Sequence, residues 1–265
     1  HTPTACCTSR TNSSAWFNAR YKTVMGHLMT GADHELSSDT LQGPSSGVQL
    51  QAIIQQLFTV LQAPTANVWD RYHCRTWVAV GNSGQPKGSG HRLLIDTHDW
   101  VMRVNKGKIT GIELDVGMRT THHFMYPESA VNLRPDVHLV LAPFKPLDLK
   151  WVTSAFTGEV THTYVRVKYF IKDDRNKVLI LSPAFLKYIH DNWTQHHGCY
   201  PSTGFTALLF ALHTCQQVSV FGFGADSEGN LHHYWEKTRG SRAFHRTRVH
   251  DADVEFSLIK RLAHE

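Results

Sequence analysis

The chain has 265 residues, 41% of them hydrophobic and 18% charged, which supplies one large core and excludes disorder, collagen and coiled coil. No apolar run approaches the roughly 18 residues of a membrane helix; stretches such as Ala207 to Leu212 stop well short. Lys and Arg number 27 against 22 Asp and Glu, a formal charge of +5, with 19 histidines besides. The positive residues are scattered and carry neither zinc-finger spacing nor an RNA-binding aromatic motif, so the balance favours a small anionic ligand over nucleic acid.

The chain opens at His1 without a charged leader or apolar signal core, and reads as a fragment whose targeting segment lies outside it. Cys6, Cys7, Cys74, Cys199 and Cys215 contain no C-x-x-C pair, which disfavours a zinc ribbon or a thioredoxin motif. Two sequons, Asn12-Ser-Ser and Asn192-Trp-Thr, become acceptor sites if the chain traverses a secretory lumen, where disulfides also persist.

Residues 1–72 read as a polar, irregular lead-in with one amphipathic run, Leu50 to Leu61. Its Ile53, Ile54, Leu57, Phe58 and Leu61 recur at helical spacing and predict a packing helix. From Trp77 onward short β-branched runs alternate with helical or Gly-bearing segments: Trp77 to Val80, Trp100 to Val104, His138 to Leu141, Val178 to Leu181 and Val218 to Phe221. Strands so apolar on both faces suit a mainly parallel sheet covered by helices, and no repeat or linker divides the segment 73–265.

Four segments carry candidate chemistry. Val80-Gly-Asn-Ser-Gly-Gln-Pro86 is a Gly-rich turn after a strand, where open α/β sheets bind nucleotides. It lacks the G-x-G-x-x-G spacing of a dinucleotide site, and taken alone it is slightly better explained as a tight turn. In His196 to His213, the helix-start residues Pro201, Ser202 and Thr203 put Gly204 in a first turn whose N–H groups suit a phosphate or carboxylate; an ordinary capped core helix explains most of the same run. Leu231-His-His-Tyr-Trp-Glu236 and His250-Asp-Ala-Asp-Val-Glu255 bring several histidines together, a density that favours a polar site over a core. The D-x-D triplet at Asp251 and Asp253 puts its carboxylates about 200° apart on a helix, unsuited to sharing a cation, and reads as charge at a helix N-terminus.

In this order the four segments resemble the large, small, third and very small sialyl motifs of the eukaryotic sialyltransferases, glycosyltransferase family 29. The large motif spans Cys74 to Ser129 and includes Arg103-Val-Asn-Lys106 and Arg119 to Ser129; the small spans His196 to Ala225, and His233-Tyr-Trp-Glu236 and His250-x4-Glu255 are the other two. Tyr-Pro-Ser-Thr-Gly, Ala225-Asp-Ser and His162-Thr-Tyr-Val look like the β-galactoside α-2,3-sialyltransferases acting on Galβ1-3GalNAc. The resemblance implies a single Rossmann-like sheet of the GT-A-like variant type, Golgi residence as a type II membrane protein, and transfer of sialic acid from CMP-sialic acid to a galactose 3-hydroxyl of glycoproteins or glycolipids. The resemblance further implies that the transfer proceeds with inversion and without a divalent metal.

Residue by residue, the resemblance makes His250 the base and places His233 beside the departing phosphate. Asn82, Ser83, Asn105, Tyr126, Ser202, Thr203, Gly204 and Gly224 would form the donor pocket, with Tyr164 and Tyr200 on the sugars. The positive end of the helix that begins after His250 would keep its ring neutral. A glutamine that contacts galactose in relatives matches either Gln42 or Gln49. Cys215 matches one half of the family's disulfide, but Trp77 occupies the other position; Cys74 matches a cysteine that pairs with the N-terminal cluster, here Cys6 or Cys7, and Cys199 stands where a basic residue is expected. Two other classes remain: a non-catalytic CMP-sugar or glycan-binding protein, and a metalloprotein using His232 and His233 or His122 and His123, although adjacent histidines on a strand point to opposite sides.

Overall fold

The computed structural model describes residues 13–22, 26–30, 41, 47–62, 75–84, 86–158, 166–215, 217–224 and 249–264. Six strands, β1 (Thr76–Val80), β2 (Trp100–Val104), β3 (His122–Met125), β4 (His138–Leu141), β5 (Val178–Ile180) and β6 (Gln217–Phe221), form one sheet in the order β5-β4-β3-β2-β1-β6. Every neighbouring pair is parallel. The α/β class and the parallel sheet expected from the apolar runs are therefore present.

Alternation along the strands divides the core between two faces. Trp77, Ala79, Met102, Val104, Phe124, Val140 and Leu179 face one side, where they pack with α1 (Ala15–Asn18), α6 (Pro183–Asn192), α7 (Thr203–Thr214) and α8 (Ala252–Leu262). Their neighbours face the other side. Val78, Val80 and Val101 meet α3 (Arg92–Asp96) and α4 (Glu113–Val116), while Met125, Leu139, Leu141, Val178 and Ile180 meet α2 (Gly47–Val60) and α5 (Pro146–Thr157). The helix expected at 50–61 is α2, with Ile53, Ile54 and Leu57 buried. A second tie from the lead-in runs through residues 28 and 29: Leu28 bridges Leu181, and the Met29 N–H donates to the Ile180 carbonyl at 2.8 Å.

Strand β3 was absent from the strands expected of the sequence because two histidines interrupt its apolar pattern. Their rings are core groups on opposite faces. His122 stacks between His138 (4.9 Å) and Trp77 (5.2 Å), and the Nε2–H of His123 donates to the Asn105 carbonyl at 2.5 Å. Burial drives their pKa values down to about 3 and about 4, so both rings stay neutral.

Trp77, standing where the resemblance places a cysteine, is fully buried, with its ring 5.6 Å from Phe210 of α7 and 4.8 Å from Trp100. Sheet and helix are thus joined there by ring packing. Cys215 is a thiol whose pKa burial pushes up to about 12. Cys6, Cys7, Cys74 and the Asn12 sequon lie outside the described residues. Among the described residues no helix is long and apolar enough to cross a membrane.

Candidate active site

The chain lays down β1 to β5 in one direction across the sheet and then returns to place β6 on the free edge of β1. Such a reversal of strand order opens a crevice at the carboxyl ends of the two strands involved. Here the loops after β1 and β6 are joined by backbone hydrogen bonds. The Gly81 N–H donates to the Phe221 carbonyl (2.7 Å) and the Ser83 N–H to the Gly222 carbonyl (3.0 Å). A Cβ on Gly81 would collide with the Gly222 carbonyl oxygen, and one on Gly222, which has φ of +70°, would lie 2.7 Å from the Gly81 oxygen. Glycine at both positions is what lets the two turns approach.

From this point contacts run in a circuit around the carboxyl edge. Asn82, only 9% exposed, donates its Nδ2–H to the Val104 carbonyl (3.0 Å), tying the end of β1 to the end of β2. Asn105 follows in the left-handed region, φ 51°, with its N–H on the Phe124 carbonyl and its Oδ1 accepting from Ser129 Oγ. Ser129 also accepts from the Tyr126 N–H. On the other side, Phe223 packs against Gly204, and Phe256 of α8 packs against Gly224.

Helix α7 starts as its sequence predicts. The Ser202 hydroxyl caps it by accepting the Phe205 N–H at 3.1 Å, which leaves the N–H groups of Thr203 and Gly204 without intrahelical partners at the positive helix end. Glu255 holds the cap in place: its Oε1 accepts the Ser202 N–H (2.7 Å) and its Oε2 accepts the Ser202 hydroxyl (2.5 Å). Burial raises this carboxyl to about 7 against the pull of those bonds. Sequence reading placed Glu255 in a motif without giving it a task, since its partner is 53 residues away.

His250 lies just before Asp251, the N-cap of α8, whose side chain accepts the Val254 N–H. Asp251 is thus a cap, and Asp253 is an exposed first-turn charge. His250 Nδ1 is 2.9 Å from the Tyr200 carbonyl, which can only accept. Nδ1 therefore carries the proton, and Nε2 presents its lone pair. The pKa of the ring is lowered, as expected, but burial is the leading cause and the Tyr200 bond opposes it; the helix end invoked from sequence is not what drives the shift.

Tyr200 stands edge-on to His250 (5.0 Å, 78°) and stacks on Phe144 (4.5 Å, 26°), which in turn meets Tyr126 at 6.2 Å. Behind this wall Lys145 Nζ bridges Glu128 Oε1 (3.1 Å) and Asp148 Oδ1 (2.9 Å). Sequence reasoning missed Phe144, Lys145 and Asp148. The one available signal was Pro146 at a helix start with an acid two residues on.

The structure therefore brings together Asn82, Ser83, Asn105, Tyr126, Tyr200, Ser202, Thr203, Gly204, Gly224 and His250. His233, Tyr164, His232 and Gln42 lie outside the described residues, and Gln49 is exposed on α2. Arg103 is spent on scaffolding, with its guanidinium donating to the carbonyls of Val116, Gly117 and Arg119. Cys199 is exposed, its N–H on the Val249 carbonyl. Among the described residues no three His, Cys, Asp or Glu side chains converge as metal ligands.

The chain is similar to known proteins along nearly its whole length. The chain is 46% identical over 267 residues to the rat CMP-N-acetylneuraminate-beta-galactosamide-alpha-2,3-sialyltransferase 2, covering 97% of this chain and 76% of the relative. It is 43% identical over 274 residues to the human enzyme 1 of that name, covering 99% and 81%. A crystal structure of a mammalian sialyltransferase in complex with Gal-beta-1-3GalNAc-ortho-nitrophenol superposes with a TM-score of 0.87 at 41% identity, covering 98% of this chain and 96% of that one. With a family model matching residues 28–265, the chain belongs to glycosyltransferase family 29 (sialyltransferase).

Proposed function

We propose that this chain transfers sialic acid from CMP-sialic acid to the 3-hydroxyl of galactose in Galβ1-3GalNAc-type glycans, with inversion and without a metal ion. The names of its relatives and the acceptor analogue held by the solved one support the substrate pair. The observation that carries the chemistry is the His250 bond to the Tyr200 carbonyl, which fixes the tautomer with Nε2 as the basic nitrogen, while burial favours the neutral ring. In the proposed step Nε2 takes the proton from galactose O3 as the O3–C2 bond to sialic acid forms. The bond from C2 to the phosphate oxygen breaks in line, and CMP leaves as a phosphate monoester.

Asn82, Ser83, Asn105 and Gly224 hold the nucleotide and phosphate side in this reading. The first-turn N–H groups at Thr203 and Gly204, beside the Ser202 cap, receive the phosphate anion. Tyr126, Tyr164 and Tyr200 border the sugars, and His233 donates a hydrogen bond or proton to the leaving phosphate. Residues 1–72 serve as a lead-in to a catalytic domain at 73–265, and the native protein works in the Golgi lumen, anchored by a segment outside this sequence. A luminal setting would also oxidise Cys74 with Cys6 or Cys7.

Incubation of the protein with CMP-sialic acid and a panel of galactosides, with and without EDTA, tests the proposal. Transfer to Galβ1-3GalNAc that persists in chelator is the expected result. CMP binding without turnover would identify a non-catalytic binding protein instead, and loss of transfer in EDTA with recovery on adding manganese would overturn metal independence.

A further inference from the structure

The strongest unused feature of the molecule is the ion cluster behind the aromatic wall. Asp148 is fully buried, and its Oδ2 accepts the backbone N–H groups of Phe144 (2.8 Å) and Lys145 (3.1 Å). Its Oδ1 faces Lys145 Nζ, which also binds Glu128, and the Lys145 and Glu128 side chains are only 17% and 18% exposed. Three charges so far from bulk water are costly to hold unless the geometry repays them. What this geometry fixes is the turn at residues 144 and 145, after β4, and therefore the plane of the Phe144 ring. Phe144 stacks on Tyr200, and Tyr200 supplies both the ring and the carbonyl that contact His250. Cluster and imidazole are linked by an unbroken series of contacts, of which the proposed chemistry by itself calls only on the last, between Tyr200 and His250.

We infer that Lys145, clamped between Glu128 and Asp148, is a positioning residue for His250, acting through the stacked rings of Phe144 and Tyr200. The inference rests on the reading of His250 as the base. The groups facing Tyr200 are Lys145, Tyr126, Glu128 and Asp148. Those next to His250 on its own segment and the adjoining loop are Asp251 and, paired with Asp251 at 3.5 Å, His197. Replacing Lys145 by Met leaves Glu128 and Asp148 facing each other without a cation, so the turn relaxes and the wall loosens. Water then reaches His250. Because burial is what chiefly lowers its pKa, the pKa rises toward its ordinary value, and the acidic limb of the kcat profile moves to higher pH.

The test is the kinetics of Lys145→Met, Lys145→Arg and Phe144→Leu across pH. Lys145→Met should lower kcat by about tenfold, a small misplacement of a base, while KM for CMP-sialic acid stays within about twofold and the acidic limb shifts upward. Lys145→Arg, which keeps the cation, should recover most of both. A Lys145→Met protein with the original kcat and limb, or one in which donor KM rises with the fall in kcat and the limb stays put, would overturn the inference. Should that variant not fold, Phe144→Leu decides, since it keeps both N–H bonds to Asp148 and removes only the stacked ring: the same shift supports the coupling, and unaltered kinetics reject it. An acidic limb that persists unchanged in His250→Ala is a separate failure and rejects the base assignment.

Discussion

The Nδ1–H of His250 donates to the Tyr200 carbonyl, and that bond decides which nitrogen can take a proton. If His250 is the base, His250→Ala should lower turnover by roughly 100-fold, the usual size of a lost general base, and should leave CMP affinity nearly unchanged because the proposed base acts on the acceptor. His233→Ala, if that residue stabilises the leaving phosphate, should reduce both. Steady-state kinetics beside CMP titration distinguish the two roles, and equal losses of CMP affinity would exchange or cancel them. Glu255 gives a different prediction. Its carboxyl keeps a proton up to about pH 7 in the fold, whereas an unfolded Glu releases it near pH 4.3. The stabilisation it contributes is complete below the unfolded value and is lost as pH rises through the folded one. Glutamine mimics the protonated acid, so Glu255→Gln should flatten that part of the decline. Urea midpoints at about pH 5 and about pH 8 measure it; an equal fall in variant and parent would refute the role.

At the scale of elements, the two loops that meet at the strand reversal are joined by backbone hydrogen bonds. A methyl group at Gly81 has nowhere to go, because backbone atoms of Gly222 and the Phe223 ring occupy its space. Gly81→Ala should cost about 2 kcal/mol or more by overpacking and should weaken CMP binding by forcing the ends of β1 and β6 apart. Gly111, with φ of +90° and nothing within 4 Å of its missing Cβ, is the control. There alanine meets only backbone strain, about 1 kcal/mol, and CMP binding should hold. Thermal denaturation and CMP titration on both variants make the comparison, and equal effects on CMP binding would show that the close approach has no part in the site.

For the whole molecule, what could be read from the sequence follows how locally each feature is encoded. Strands β1, β2, β4 and β5 show as short apolar runs because both faces of each are covered, and the half-buried edge strand β6 keeps the same pattern. β3 was hidden because His122 and His123 look polar in sequence, yet they enter the core neutral, His122 stacked between rings with Nδ1 on the Thr121 hydroxyl and His123 bonded to the Asn105 carbonyl. The turn at 81–84 and the cap at Ser202 are local patterns and were legible. The grip of Glu255 on Ser202, and the connection from Lys145 through Phe144 to His250, join residues far apart in the chain, so no window of sequence contains them. The same distance explains why burial, rather than the helix end, governs the His250 ring: burial is supplied by segments that sequence alone does not bring together.

The return of the chain to β1 has a consequence for how the protein is made. Strands β1 to β5 come from one continuous stretch, but Val80 waits for Phe221 before its strand has a second neighbour, and His250 follows later still. Until then a growing polypeptide carries a bare, apolar strand edge of the kind that invites aggregation and engages chaperones. It holds one glycine turn without its counterpart and lacks the imidazole proposed to take a proton. Synthesis must pass Phe221 before the two turns can meet, so a product terminated earlier is marked by its exposed edge and lacks the proposed base for the same structural reason.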